Sequence, residues 1–188
     1  KGPFPLFEAE PLMASPNVAR LDEDVRREIA RSGLRNGCLT SVAPTGTISL
    51  LAGNVSSGIE PIFDFHYRRR LRTSGTEIRD EIVEDYAYGI YRTRAAAGAP
   101  LPSAFVTASQ LTPSEHLAMQ AAVQAHVDSS ISKTINCPAG IAFESFKDIY
   151  REAYALGLKG CTTYRPSAVR GAVLVAAPTG TEDPAATD

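Results

Sequence analysis

Several residue types that mark specialised protein classes are scarce in this chain of 188 residues, which has no tryptophan, two methionines and three cysteines. Cys38, Cys137 and Cys161 are odd in number and widely spaced, which excludes the disulfide framework of small secreted domains. There is no C-x-x-C pair and the three histidines do not cluster with the cysteines, so the ligand spacing disfavours a zinc site. These absences are typical of a reduced, cytoplasmic protein.

The chain also lacks a strong charge of either sign and a long apolar run. Lys and Arg total 19 against 21 Asp and Glu, a formal net charge of −2, so no basic surface for nucleic acid is predicted. No apolar run approaches the roughly 18 residues that a membrane-spanning helix needs. Residues 1–10 lack the layout of a signal peptide and no initiator methionine is present, so we expect a fragment or a processed piece.

Hydrophobic residues make up 44% of the chain, which is enough to build a core and excludes a mostly disordered protein. Repeated prolines predict an extended arm over residues 1–20, and small residues predict a disordered tail over 176–188. Between the arm and the tail, hydrophobic periodicity and helix-breaking residues predict helices over 22–32, 78–96, 112–129 and 142–156. The same signals predict strands over 38–43, 63–71, 131–136 and 161–164.

The predicted elements alternate in type along residues 21–175, which favours an α/β arrangement. Thr112 and Glu115 form a capping box with Pro113 at the first helical position, and Gly157 stops the last helix. Three or four strands with helices on one side cannot close a barrel alone. The sheet edges therefore need strands from another part of the protein or from another chain.

The strongest local signal is the turn Pro44-Thr45-Gly46-Thr47-Ile48-Ser49, which lies between a predicted strand and an apolar, potentially helical run. Backbone N–H groups at such a turn point outward, hydroxyls can donate, and glycine lets the backbone approach an anion closely. These are the properties of a phosphate cradle, although the Gly-Lys-Ser/Thr pattern of a P-loop is missing. A capped helix start is the alternative, because Thr and Ser are preferred caps.

Two long blocks of sequence resemble one enzyme family. Residues 34–61 read LRNGCLTSVAPTGTISLLAGNVSSGIEP, and residues 128–167 read DSSISKTINCPAGIAFESFKDIYREAYALGLKGCTTYRPS. Both blocks are similar to the C-terminal barrel region of adenosylcobalamin-dependent (class II) ribonucleotide reductases, in the family's order and at about its spacing. The resemblance covers most of residues 1–175, so 21–175 are interpreted as the C-terminal portion of that barrel.

The resemblance implies a partial segment of a ten-stranded α/β barrel, built around a finger loop whose tip cysteine becomes a thiyl radical. It implies that a ribonucleotide is the substrate and that Thr45, Gly46, Thr47 and Ile48 contact its phosphate, largely through backbone N–H groups. Pro44 would shape the turn and Ser49 would add a hydroxyl. Adenosylcobalamin is the implied cofactor of the complete enzyme, with its contacts mostly outside this segment.

The sequence departs from the family at the catalytic motifs. The finger-loop pattern Asn-x-Cys-x-Glu is absent, since Asn136-Cys137 is followed by Pro-Ala-Gly, and the C-terminal cysteine pair is also missing. The chain alone is therefore expected to be inactive and to need an upstream portion or subunit that carries the finger loop. The alternative is a catalytically inactive nucleotide-binding or assembly module derived from the same barrel.

The sequence also predicts roles for four residues outside the turn. Glu60, in the family-like GIEP segment, is interpreted equally as loop support and as a site residue, while Lys133 is interpreted as structural. Cys38 and Cys161 are predicted to be packed core thiols on short strands. At residues 161–164 the sequence CTTY lacks the two adjacent tyrosines of oxygen-dependent reductases, which fits a radical generated in place by cobalamin.

Overall fold

The computed structural model describes residues 1–72, 78–96, 98–166 and 174–176. The predicted tail over 176–188 lies outside these residues except for Ala176, which ends a short strand. At the other end, the predicted extended arm is wrong over its second half, because α1 (Ala9–Ala14) and α2 (Pro16–Ala19) are helical. Proline is compatible with this because Pro16 lies in the first turn of α2, where its missing N–H has no helical partner to lose.

Helix α3 (Glu23–Ser32) confirms the predicted amphipathic helix over 22–32. Acidic residues occupy its first turn and Arg31 its last, which complements the helix dipole. Ile29 is buried at 6% exposure, and the helix ends at Gly33, whose φ of 75° favours glycine.

The predicted strand over 38–43 does not form. Its only pairing within the described residues is a parallel bridge between Val42 and Ile131, with hydrogen bonds from Ser129 N to Thr40 O and from Ser132 N to Val42 O. The partner segment is irregular, so the pairing does not extend into a ladder. After this segment the apolar run begins a helix as predicted, α4 (Gly46–Leu51).

Strands β1 (His66–Arg72) and β2 (Ile78–Glu84) pair antiparallel, and β5 (Leu174–Ala176) pairs antiparallel with the other edge of β1. The predicted helix over 78–96 is therefore wrong in its first half and confirmed in its second, where α5 (Tyr86–Arg94) lies. The aliphatic positions Ile78, Ile82 and Val83 have helical spacing, but pairing with β1 overrides this local preference and makes the segment a strand.

The second half of the chain forms a parallel β-α-β unit. Helix α6 (Pro113–Gln124) begins at the predicted capping box and is followed by β3 (Thr134–Asn136), α7 (Phe143–Ala155) and β4 (Thr162–Tyr164). Strands β3 and β4 pair parallel, with Ile135 opposite Thr163. The core around them contains Leu117, Ile135, Cys137, Ile149 and Ala153.

The parallel unit confirms the predicted α/β class. Within the described residues there are two separate small sheets, of order β2-β1-β5 and β3-β4, and they do not close into a barrel. The ten-stranded barrel therefore stays a prediction about a larger protein. None of the helices in the described part of the chain is both long and apolar enough to span a bilayer.

Candidate functional site

The predicted phosphate turn is built on an unusual backbone conformation. Thr45 immediately precedes α4 with a φ of 52° and a ψ of 26°, in the left-handed region that β-branched residues rarely adopt. Its side chain does not cap α4. The Thr45 hydroxyl oxygen instead accepts a hydrogen bond from Gly58 N at 2.9 Å. A neighbouring loop therefore holds Thr45, and a simple capped helix start does not describe this turn.

The first amides of α4 are available to a ligand. Within the described residues, the N–H groups of Gly46, Thr47 and Ile48 donate to no acceptor, and the first intrahelical bond runs from Ser49 N to Thr45 O at 2.8 Å. A Cβ added at Gly46 would meet no atom within 4 Å, so open space adjoins this backbone. The three N–H groups can therefore be approached by an anion.

Ser49 differs from the rest of the turn because it is buried at 9% exposure. Its hydroxyl donates to Val55 O, which ties α4 to the segment that follows it. That bond leaves the oxygen lone pairs free, but the proton is already committed. The prediction that this hydroxyl contacts phosphate stays a prediction.

A cavity of about 460 Å³ adjoins the turn. Three of the predicted site residues line this cavity, namely Gly46, Ser49 and Glu60. The other four belong to the turn but do not line the cavity: Pro44, Thr45, Thr47 and Ile48. The other polar side chains on its walls are Asn54, Ser56, Ser57, Asp64, Tyr67, Asp85, Thr134, Asn136 and Tyr164. The volume is in the range of small-molecule sites, and the many polar side chains among the lining residues suit a polar ligand.

Glu60 is held by the strand that faces the turn. Its carboxylate accepts one hydrogen bond from Thr134 N at 2.5 Å and another from Lys133 Nζ at 2.7 Å. The Lys133 side chain is 1% exposed and that of Glu60 is 23% exposed. Glu60 therefore both lines the cavity and supports the loop. The sequence singled out Glu60 and Lys133 separately but not their pairing, because 73 residues separate them and no local pattern links them.

His116 lies behind this pair and is 1% exposed. Its Nε2 is 3.1 Å from Ala108 O and its Nδ1 is 2.9 Å from Lys133 Nζ. Because a carbonyl can only accept, Nε2 carries the proton and Nδ1 accepts from the ammonium group. Burial, followed by the nearby positive charge of Lys133, lowers the pKa of His116 and keeps the imidazole neutral.

The three cysteines have different environments, and none is in a disulfide. Cys38 was predicted to be a core thiol and is exposed, because the strand that would have buried it does not form. Cys161 is half-buried and Cys137 is buried, and burial raises the pKa of both thiols. The Cys137 thiol donates to Ile135 O at 3.6 Å, which suits a structural thiol better than a reactive one.

Comparison with known proteins identifies the family of this fold. A family model described as "Ribonucleotide reductase, barrel domain" matches residues 1–164. The chain belongs to the ribonucleotide reductase barrel-domain family. The match contains the turn at 44–49, Glu60, Lys133 and strand β4, so every residue of the candidate site lies within the family's domain.

Curated relatives carry more specific names. A "Vitamin B12-dependent ribonucleoside-diphosphate reductase" of Mycobacterium tuberculosis (strain CDC 1551 / Oshkosh) is 41% identical over 165 residues, which covers 79% of this chain and 24% of the relative. A protein of the same name from Thermoplasma acidophilum is 35% identical over 168 residues, covering 80% of this chain and 22% of the relative. The barrel-domain chain thus spans about a quarter of the length of these relatives.

The names of the relatives include vitamin B12, so the chain's own residues must be tested against that cofactor. The cavity is lined by hydroxyl, amide, carboxylate and apolar groups, and neither histidine nor cysteine is among its lining residues. His116 engages both ring nitrogens within the core. In the ranges that the structure describes, no cluster of three His, Cys, Asp or Glu residues could hold a metal ion. The residues that line this cavity therefore offer cobalt no imidazole or thiolate ligand.

Proposed function

We propose that this chain supplies the substrate-phosphate turn of a vitamin B12-dependent ribonucleotide reductase. The observation that carries the proposal is the set of unpartnered N–H groups on Gly46, Thr47 and Ile48 beside a cavity of about 460 Å³. Family membership and the names of the relatives support a nucleotide as the ligand. The phosphate oxygens accept hydrogen bonds from these amides, and the ribose and base extend into the cavity.

The contribution of the turn is positioning. A phosphate fixed by several backbone donors holds the ribose in one place, which lowers the entropic cost of reaching the reactive geometry. Radical reduction of the 2′-hydroxyl requires a cysteine that this chain does not place in the cavity, because Cys137 is buried and bonded to a backbone carbonyl. In this proposal the reacting cysteine and adenosylcobalamin come from the remainder of the enzyme, which the chain contacts.

Phosphate binding can be tested on the 188-residue chain itself. We expect pyrophosphate and a ribonucleoside diphosphate to shift the amide NMR signals of Gly46, Thr47 and Ile48. Thr47→Asp adds a negative charge in the first turn of α4, where it favours the helix but repels phosphate. The variant should keep its fold and lose binding, whereas the matched control Thr47→Ser should keep both. Binding that survives Thr47→Asp would place the phosphate elsewhere.

Turnover tests the larger claim. The chain is mixed with a portion of a relative that carries the finger loop, together with ribonucleotide, a dithiol and adenosylcobalamin. Deoxyribonucleotide formed only in the mixture supports a segment of the reductase. Phosphate binding without association or turnover favours the second candidate, a catalytically inactive nucleotide-binding or assembly module. The observation that favours this alternative is that the sequence lacks the Asn-x-Cys-x-Glu pattern.

A further inference from the structure

Lys133 is a buried cation with all of its donors satisfied. An ammonium group has three N–H donors. Those of Lys133 reach Glu60 Oε2 at 2.7 Å, His116 Nδ1 at 2.9 Å and Thr134 O at 2.6 Å. The side chain is 1% exposed and is not among the residues that line the cavity, so its ammonium group does not contact a ligand there. A buried charge is costly unless it is paired and fully hydrogen-bonded, and each bond here constrains where its partner lies.

The partner that this arrangement constrains most is Glu60. Its second oxygen accepts from Thr134 N, so the carboxylate spans the backbone of β3 and the Lys133 ammonium group. The backbone of Glu60 is tied in the same way, since its N–H donates to Ser57 O at 3.0 Å and its carbonyl accepts from the Ser56 hydroxyl. The loop over residues 56–61 is thus fixed to β3 at one end.

The same loop touches the phosphate turn. Gly58 N donates to Thr45 Oγ1 at 2.9 Å. A Cβ added at Gly58 would lie 3.0 Å from Ala43 O, and the φ of Gly58 is 57°, so only glycine fits this close approach without strain. The loop therefore contacts the turn through its backbone, and its hydrogen bond falls on the one turn residue with a left-handed conformation.

We propose that Lys133 is a positioning residue for the phosphate-binding turn, acting with Glu60 and His116 through the loop at 56–61. The contacts run from Lys133 to Glu60, from the Glu60 loop to Gly58, and from Gly58 to Thr45, whose conformation aims the amides of α4. Lys133 touches no substrate. The inference rests on the proposed phosphate site, because the geometry of the turn affects function only if a ligand binds there.

His116 completes the arrangement as the neutral acceptor. The charged groups facing it are Lys133 and Glu60 from the cavity side and Glu115 from its own helix. Protonation at Nδ1 would remove the acceptor and place a second cation against Lys133. The lowered pKa of His116, caused first by burial, is consistent with an imidazole that serves only as an acceptor.

The test replaces Lys133 and measures the hydrogen bond and the backbone conformation of the turn directly. Lys133→Met keeps much of the side-chain volume and removes the charge and all three donors. The matched control is Lys147→Met, because Lys147 pairs with Glu144 on the surface of α7. In the ligand-free chain, we expect Lys133→Met alone to accelerate hydrogen exchange of the Gly58 amide about tenfold, as for one lost hydrogen bond, and to move the Thr45 chemical shifts away from left-handed values.

A double-mutant cycle separates positioning from general loosening. Thr45→Val removes the acceptor of the Gly58 bond while keeping the side-chain shape. If Lys133 acts through this bond, Lys133→Met should weaken pyrophosphate binding about tenfold in the wild-type background and far less in the Thr45→Val background. Equal losses in both backgrounds would overturn the proposal.

The outcomes distinguish this proposal from the proposed function. If the wild-type chain binds no pyrophosphate, the proposed phosphate site is wrong. Independently of that result, the positioning role is wrong if Lys133→Met changes neither the hydrogen exchange of the Gly58 amide nor the chemical shifts of Thr45. If pyrophosphate binds wild type and Lys133→Met alike, only the positioning role fails. Should Lys133→Met not fold, Glu60→Gln decides by the same readouts, since it keeps the side-chain size and removes the charge that pairs with Lys133.

Discussion

At the scale of single residues, Thr45 combines a strained backbone with a useful hydrogen bond. A β-branched residue in the left-handed region is disfavoured, yet its hydroxyl accepts from Gly58 N. We expect Thr45→Val to lower the free energy of unfolding by about 1 kcal/mol because the acceptor is lost. Thr45→Ser keeps the acceptor without the β-branch and should be at least as stable as wild type. Urea unfolding measures both, and equal stability of the two variants would contradict the assignment.

His116 predicts a specific pH dependence. Because the folded chain holds the pKa of His116 below its ordinary value, the unfolded chain takes up the proton first as the pH falls. The free energy of unfolding should therefore decrease as the pH falls through the ordinary histidine pKa of about 6.5, by at most about 1.4 kcal/mol per pH unit from this group. The loss ends once the pH passes the folded-state pKa.

The control for this pH effect is His116→Gln, which retains a carbonyl acceptor for Lys133 and does not titrate. Urea unfolding at several pH values should give a shallower dependence for the variant than for wild type. Parallel curves would show that His116 does not contribute.

The residues of the candidate site could be predicted from sequence only where the signal is local. The turn at 44–49 was singled out because hydroxyl-rich turns with a glycine have recognisable chemistry, and Glu60 was singled out because its GIEP segment resembles the family. The left-handed conformation of Thr45 was not, since it depends on Gly58, which lies 13 residues away. Lys133 was interpreted as structural, and its contacts with Glu60 and His116 come from the tertiary fold, which carries no short-range pattern.

At the scale of elements, Asp128 anchors the segment that leads into the turn. Its Oδ2 accepts from Leu39 N at 2.9 Å and Thr40 N at 3.1 Å, while Oδ1 accepts from Asn17 Nδ2 at 3.0 Å. The hydrogen bond from the Leu39 backbone, followed by those from Asn17 and Thr40, holds the pKa of this carboxyl below its usual range against partial burial. One carboxylate thus joins α2, the segment after α3 and the segment after α6.

We expect Asp128→Asn to lower the free energy of unfolding by about 1 kcal/mol or more, because its amide group turns one acceptor into a donor facing backbone N–H groups. Asp148→Asn is the matched control, since Asp148 makes an exposed pair with Arg151 that contributes little. Wild type should also lose this advantage as the pH falls through the lowered pKa of Asp128, and the variant should not. An Asp128→Asn chain as stable as the control would contradict the anchor.

Helices whose ends are marked by local capping signals could be predicted from the sequence. Segments whose secondary structure depends on pairing with a distant strand could not. The capping box at Thr112 and Glu115 places the start of α6 because both hydrogen bonds are made within one turn. The aliphatic residues of 78–84 have helical spacing, but their antiparallel partner β1 makes them a strand. The run at 38–43 reads as a strand, but its neighbour at 129–132 is irregular, so only one bridge forms.

At the scale of the whole molecule, the described chain leaves much apolar surface uncovered. Leu51 is 88% exposed, Ile48 66% and Phe143 73%, whereas its main core is a small cluster around Leu117 and Ile135. Both sheets are small and open. We predict that these side chains pack against a further protein surface, since the relatives contain about three quarters of their length outside the matched segment.

The exposed side chain of Leu51 therefore predicts association. Leu51→Asn removes apolar contact from a site that the described chain leaves open, so it should change the free energy of unfolding of the isolated chain by less than about 0.5 kcal/mol. The same change should weaken binding to the complementary portion of the Mycobacterium tuberculosis relative, measured by analytical ultracentrifugation. Leu51→Met conserves apolar volume and should bind like wild type. If Leu51→Asn also binds like wild type, the exposed surface of α4 takes no part in this association, and other exposed apolar side chains must carry it.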